Sequence, residues 1–208
     1  MNKVVITGHK TTIAKNFKYI ISLKGVNPNN KNFGLPPIEI RTEEIDNHLD
    51  ADRYVFCHGV MYPKKSYELT DAEKENSMYT NFISVVEMCD KIIEYNDKAR
   101  ICIISSYSAF VGSYDNTYAL SKALLNQYIE RKELRTPKQQ LVGIAPSAIE
   151  DSGMTQRRKD LENVNKKRKN HPMKRLIQSY EVSRLIYTLL YEQPYINRTV
   201  IQMHGGNV

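Results

Sequence analysis

The run Arg100-Ile101-Cys102-Ile103-Ile104-Ser105-Ser106 constrains the fold of this chain more than any other stretch. Successive side chains of a strand point to opposite faces, so four consecutive apolar residues need cover on both sides. A parallel sheet with helices on each face supplies that cover. The segments around the run agree with such a sheet. Lys3–Thr7, Arg53–Cys57, Leu141–Ala145 and Thr199–Met203 read as further strands, and Ile38-Glu39-Ile40 as a short one. Between them, Thr11–Leu23, Ser77–Tyr95, Thr117–Lys132 and Glu181–Tyr191 carry apolar residues at helical spacing. Asn27–Pro37, rich in Asn, Pro and Gly, reads as loop. Repeated strand–helix alternation predicts an α/β fold: a Rossmann-type doubly wound parallel sheet with helices on both faces, in a single domain over residues 1–208.

Composition narrows the function classes. The chain has 208 residues, of which 41% are hydrophobic and 25% charged, as in ordinary globular domains. No apolar run approaches the roughly 20 residues of a membrane span, and no signal peptide precedes the first strand. Cys57, Cys89 and Cys102 are odd in number and lack metal-ligand spacing, which predicts reduced thiols, a cytoplasmic protein and no metal. Net charge is +7, but it is unevenly spread. Between Thr155 and Leu176 nine Lys/Arg face two Asp/Glu. Such a run is either a solvated face or an attractor of an anionic ligand, and no nucleic-acid motif accompanies it.

Two stretches carry chemistry. Thr7-Gly8-His9-Lys10-Thr11-Thr12-Ile13-Ala14 is a strand-to-helix turn, which offers backbone N–H groups and a positive helix end to a phosphate. With Gly8 as its only glycine, it also reads as an ordinary βα turn. The second stretch joins Ser105-Ser106, at a strand end, to Tyr118 and Lys122, which share a helix face. A phenol titrates near pH 10, and a neighbouring ammonium lowers that value. It can then exchange a proton with a carbonyl or alcohol oxygen. Open α/β sheets bind ligands beyond the carboxyl ends of their strands, where these serines fall.

Tyr118-Ala119-Leu120-Ser121-Lys122 is similar to the Tyr-x-x-x-Lys signature of the short-chain dehydrogenase/reductase family, and the resemblance covers nearly the whole chain. Arg100–Ser106 resembles the family's strand ending in its active-site serine. Alignment by the strand selects Ser106, and counting back from Tyr118 selects Ser105, so Ser106 is taken with Ser105 in reserve. Asn81 falls where the family carries the asparagine of its catalytic tetrad, with the implied role of holding a proton-relaying water. Asp52–Gly59 resembles the strand leading into the family's Asn-Asn-Ala-Gly turn, of which only the glycine survives beside His58, and Val142–Ile149 resembles the segment whose backbone meets nicotinamide. Met203-His204-Gly205-Gly206 is similar to the family's closing Gly-Gly turn.

The resemblance implies an NAD(P)-dependent oxidoreductase in which Tyr118, Lys122, Ser106 and Asn81 are catalytic. The implied cofactor contacts are Thr7, Gly8, His9, Lys10, Thr12, Ile13, His58, Gly59, Lys122, Pro146, Ile149 and Ser152. It departs from the family where Thr12 and Ala14 replace two fingerprint glycines. The stretch before His58 also reads as having lost much of the second strand and the following helix. No acidic residue for an NAD ribose is placed there, while His9, Lys10 and Lys31 supply positive charge and tilt the expectation towards NADP. The basic segment 155–176 corresponds to the family's substrate lid. A small-molecule carbonyl/alcohol substrate and a homodimer or homotetramer packed through Ser77–Tyr95 and Thr117–Lys132 are implied. Related epimerases and dehydratases share these residues. A non-catalytic binding protein that kept the fold is the competing class.

Overall fold

The computed structural model describes residues 3–25, 37–157 and 161–207. Most of the expected Asn27–Pro37 loop, with Lys31, lies outside them, as do residues 158–160 of the basic segment. Six strands form one sheet: β1 (Val4–Thr7), β2 (Ile38–Ile40), β3 (Arg53–Phe56), β4 (Arg100–Ile104), β5 (Gln140–Pro146) and β6 (Thr199–Met203). They run parallel in the order β2-β1-β3-β4-β5-β6. The order reverses between β1 and β3, so the crevice for a ligand opens where those two strands end.

Alternation along the strands builds two cores. Cys102 and Ile104 of β4, with Val4, Ile6, Val55 and Ile144, pack on α1 (Thr12–Gly25) and on α8 (Ser179–Tyr187). Ile101 and Ile103 point the other way, with Val5, Tyr54 and Leu141, onto α3 (Ser84–Tyr95) and α5 (Asn116–Arg131). The apolar run that predicted a covered sheet is thus buried on both faces.

The long helix expected over Ser77–Tyr95 begins earlier, as α2 (Asp71–Met78), and passes through a π-helical turn, Tyr79–Ile83, into α3. Thr70 starts it: its hydroxyl accepts the Glu73 N–H at 3.2 Å, and the Glu73 carboxylate accepts the Thr70 N–H at 2.9 Å. The remaining helices are α4 (Ser108–Val111), α6 (Gly153–Gln156) and α7 (Leu161–Asn170), the last made from the basic segment.

The second strand is the short one expected: β2 is three residues long and pairs Ile38, Glu39 and Ile40 with Val5, Ile6 and Thr7. The expectation that no acidic residue is placed there needs correction. The shortening falls after it, where a 3₁₀ turn, Thr42–His48, leads to β3 with Ile45 buried beneath it. An acidic residue therefore does stand on β2. Glu39 is bonded by Lys18 of α1 and lies 3.9 Å from the His9 ring.

Candidate active site

The C-terminal ends of β3 and β4 gather the proton-handling residues. Beyond Ile104 the chain turns into α4, and the Ser108 N–H donates to Ser106 Oγ at 3.1 Å. The Ser106 hydroxyl lies near enough to the Tyr118 phenol to favour its ionised form. Ser105 faces the interior instead, donating to Asn126 Oδ1 at 2.5 Å. The structure thus brings Ser106, and not Ser105, to the tyrosine. Tyr118 sits in the first turn of α5 with 7% of its surface exposed. Burial raises its proton affinity above the ordinary tyrosine value, the Ser106 hydroxyl works against that, and the charges of Asp115 and Tyr114 add to the rise.

Lys122, one turn further along α5, is 3% exposed and donates to the Ile104 carbonyl at 2.9 Å. Burial lowers its pKa to about 8. Its Nζ is turned to β4, and burial of the phenol outweighs the Ser106 hydroxyl, so the proton affinity of Tyr118 stays above the ordinary tyrosine value.

Asn81 lies in the π turn and is fully buried. Its Oδ1 accepts the Val60 N–H at 2.8 Å, while its Nδ2 donates to the Val60 carbonyl at 2.8 Å and to Ser77 Oγ at 3.1 Å. The side chain therefore ties the loop after β3 to the helix, and these bonds use only one of the two lone pairs on Oδ1. A Cβ on Gly59 would sit 3.0 Å from Asn81 Oδ1 and 3.7 Å from Lys122 Nζ, so Gly59 lies between the two.

At the switch point, Gly8 adopts φ +67°, and a Cβ there would lie 2.5 Å from the His58 nitrogen. Only glycine lets the β1–α1 turn rest on the end of β3. Thr11 caps α1, its hydroxyl accepting the Ala14 N–H at 3.2 Å. Ala14 is fully buried, so its methyl is accommodated against the sheet. Thr12 is half-buried in the first turn, Lys10 is exposed, and the Ile13 side chain belongs to the core. Thr7 Oγ1 lies 2.6 Å from His58 Nδ1, and Ser84 Oγ lies 3.5 Å from His58 Nε2. Burial, with the Lys122 charge behind it, lowers the His58 pKa to about 4.

The far side of the expected cofactor set is bonded to the protein itself. The Pro146 carbonyl accepts the Tyr107 N–H at 2.9 Å. Ile149 is buried and bridged to Ile177. Ser152 caps α6, its hydroxyl accepting the Thr155 N–H at 3.2 Å and donating to the Ile149 carbonyl at 3.1 Å. Backbone from this segment can still line a cofactor groove, but the side chains are engaged. Two residues escaped the reading of the sequence. Arg41 directly follows β2, in register beside Gly8, because Ile40 pairs with Thr7. Asp115 caps α5, and a signal for it was present, since Asp-Asn stands just before the periodic helix.

A family model described as Enoyl-(Acyl carrier protein) reductase matches residues 42–207. No curated protein matches the chain. Among solved structures, a short-chain dehydrogenase/reductase (glucose/ribitol dehydrogenase) from Brucella melitensis superposes with a TM-score of 0.81 at 19% identity, covering 99% of this chain and 96% of that one. An aldohexose dehydrogenase from Thermoplasma acidophilum gives a TM-score of 0.81 at 18% identity, covering 99% and 93%. An actinorhodin polyketide ketoreductase variant with NADPH gives 0.81 at 16%, covering 99% and 97%. At such identities these structures establish the shared fold.

Proposed function

Because the chain belongs to the short-chain dehydrogenase/reductase family, we propose that it is an NAD(P)-dependent oxidoreductase interconverting a carbonyl and an alcohol. The observation that carries this reading is the convergence of Ser106, Tyr118 and Lys122 in one buried cluster beyond β4. In the reductive direction the Tyr118 phenol gives its proton to the substrate oxygen, and the Ser106 hydroxyl orients that oxygen. The nicotinamide, when bound, supplies the hydride. Lys122 would hold the ribose hydroxyls of a bound cofactor and would return a proton towards Tyr118. Asn81 holds the wall of the cluster through Val60.

The residues present fit a dinucleotide at the switch point. Gly8 provides the close turn, and the first N–H groups of α1 have no partner within the helix apart from the Ala14 N–H taken by Thr11. Gly8, His9, Lys10 and Thr12 would meet the phosphates, with His58, Gly59 and the backbone near Ile149 flooring the rest. Glu39 is occupied by Lys18, whereas Arg41 and Lys10 offer positive charge beside the turn, which favours NADPH over NADH.

Three further points belong to the same reading. Among the described residues no helix is long and apolar enough to cross a membrane, and three buried free cysteines suit a cytoplasmic setting. Tyr79, Ile83, Leu120 and Leu124 are exposed on the π turn and α5, as a homo-oligomeric contact through these helices requires. The described part of the basic segment, residues 161–176, is anchored by Arg168 on Glu150, and as a lid its lysines would draw in an anionic substrate.

Titration with NADPH and NADH, followed by nicotinamide fluorescence, tests the reading. Binding of NADPH is expected, and Tyr118→Phe should keep it while losing reduction of a panel of aldehydes and ketones. No binding of either nucleotide at millimolar concentration overturns the proposal. That outcome would favour the reading as a non-catalytic binding protein, which Thr12 at a fingerprint glycine position supports.

A further inference from the structure

Asp115 is a buried carboxylate that none of the chemistry above uses. It is 0% exposed, and each of its oxygens is bonded. Oδ1 accepts the Tyr118 N–H at 3.0 Å, capping α5 at the turn that carries the phenol. Oδ2 accepts the Tyr62 N–H at 3.1 Å, from the loop that follows Gly59. Ser66 closes the same joint from the other side. Its hydroxyl accepts the Asn116 N–H at 2.8 Å and donates to the Tyr114 carbonyl at 3.2 Å. The loop that meets Lys122 and Asn81 through Gly59 is therefore fastened to the start of α5 on both flanks of Asp115.

We propose that Asp115 is a positioning residue that locks the loop after β3 to the first turn of α5 and so fixes where the Tyr118 phenol meets the substrate oxygen. This rests on the oxidoreductase reading. A serine or threonine cap would satisfy the Tyr118 N–H equally well. A carboxylate additionally reaches a second backbone donor and brings a full charge close to the phenol. Burial is the main cause that keeps the phenol neutral, and the Asp115 and Tyr114 charges act in the same sense. The groups facing the phenol are Ser106 from the end of β4, Asp115 and Tyr114 from its own segment, and Lys122 one turn on, whose Nζ is turned to Ile104. Asp115 thus adds to burial in keeping Tyr118 in the proton-donor form that carbonyl reduction consumes.

The test uses Asp115→Asn, which keeps the shape without the charge, and Asp115→Ser, which keeps only the cap. Tyrosinate absorbance, taken as the difference between each protein and its Tyr118→Phe counterpart, reads the ionisation of Tyr118 without substrate. Removal of the charge should move that ionisation, and the high-pH limb of carbonyl reduction, to lower pH. kcat should fall about tenfold or more, while the Kd for NADPH stays unchanged. An unmoved titration with unchanged kcat in folded Asp115→Asn overturns the proposal. So does failure of both variants to fold by circular dichroism, which would make Asp115 a stability residue. A wild-type chain that binds no nucleotide defeats the oxidoreductase reading instead, and the absorbance titration still reports on Asp115.

Discussion

The two sides of the switch point are built to different standards. On the β4–α5 side, Ser105, Ser106, Asp115, Tyr118, Lys122 and Asn126 are all buried, and each is held by a named partner. On the β1–β2 side, β2 is three residues long and Lys18, Glu39 and His9 form a cluster at the surface. The family match likewise begins at residue 42, after β2. Proton transfer needs side-chain atoms placed to within tenths of an ångström, and burial with saturated hydrogen bonds supplies that. Phosphate recognition at a helix start uses backbone N–H groups, which most side chains can present. The first side therefore keeps its residues, while the second needs to keep only its turn.

The comparison breaks first at Tyr118. Tyr118→Phe removes the proton donor and should lower kcat by about 10²–10⁴-fold, with the Kd for NADPH unchanged by fluorescence titration. An equal loss of binding would mean that the two sides are one unit. Gly8→Ala is the next largest change. It meets a left-handed backbone, costing about 1–2 kcal/mol, and a clash with β3, costing about 1–3 kcal/mol more. Thermal melting should fall by several degrees and NADPH binding should be lost. Gly112, at φ +82° with nothing within 4 Å of an added Cβ, provides the contrast. There the backbone cost stands alone, so Gly112→Ala should melt closer to wild type. Equal melting of the two variants would show that packing of the turn on His58 contributes nothing.

The same contrast explains what could be read from the sequence. Period and burial are properties of residue type, so β4, α5 and the two-faced sheet were legible from Ile101–Ile104 and from the spacing of Tyr118 and Lys122. The choice between Ser105 and Ser106 was not, because adjacent residues on a strand end differ only in the face they take. The direction of the Lys122 ammonium was also hidden, since it depends on the Ile104 carbonyl across the α5–β4 gap. β2 was legible as the short strand Ile38-Glu39-Ile40, but the place of Glu39 beside Lys18 and His9 was not, because it is set by pairing with β1. Asp115 was readable as a helix cap, but its second bond, to Tyr62, is tertiary.

His58 sits on the border between the two sides and provides a smaller, pH-dependent test. Its pKa is lowered to about 4 in the folded protein, against about 6.5 when unfolded. Below about pH 6.5 the unfolded chain takes up a proton that the folded one refuses. Stability contributed by the neutral imidazole is therefore complete above that pH and is lost as pH falls towards 4, by up to about 3 kcal/mol. Urea unfolding at pH 7 and pH 4.5 should show a steeper loss in wild type than in His58→Gln. Parallel losses would mean that the contact with Thr7 and Ser84 does not depend on the neutral ring.

The smallest expected effect sharpens the comparison at its weaker end. The Arg41 side chain is 78% exposed and reaches Glu43 only at 4.0 Å, so water and salt screen whatever it holds. Register nonetheless sets it beside Gly8, where a ribose phosphate of NADPH would lie. Arg41→Ala should weaken NADPH about fivefold to tenfold and leave NADH unchanged, and the difference should shrink as salt rises from 50 to about 500 mM. An equal weakening of both nucleotides would assign Arg41 to the general field of the turn. No change in either would leave the phosphate to Lys10 and His9, and the β2 end would then contribute shape without selectivity.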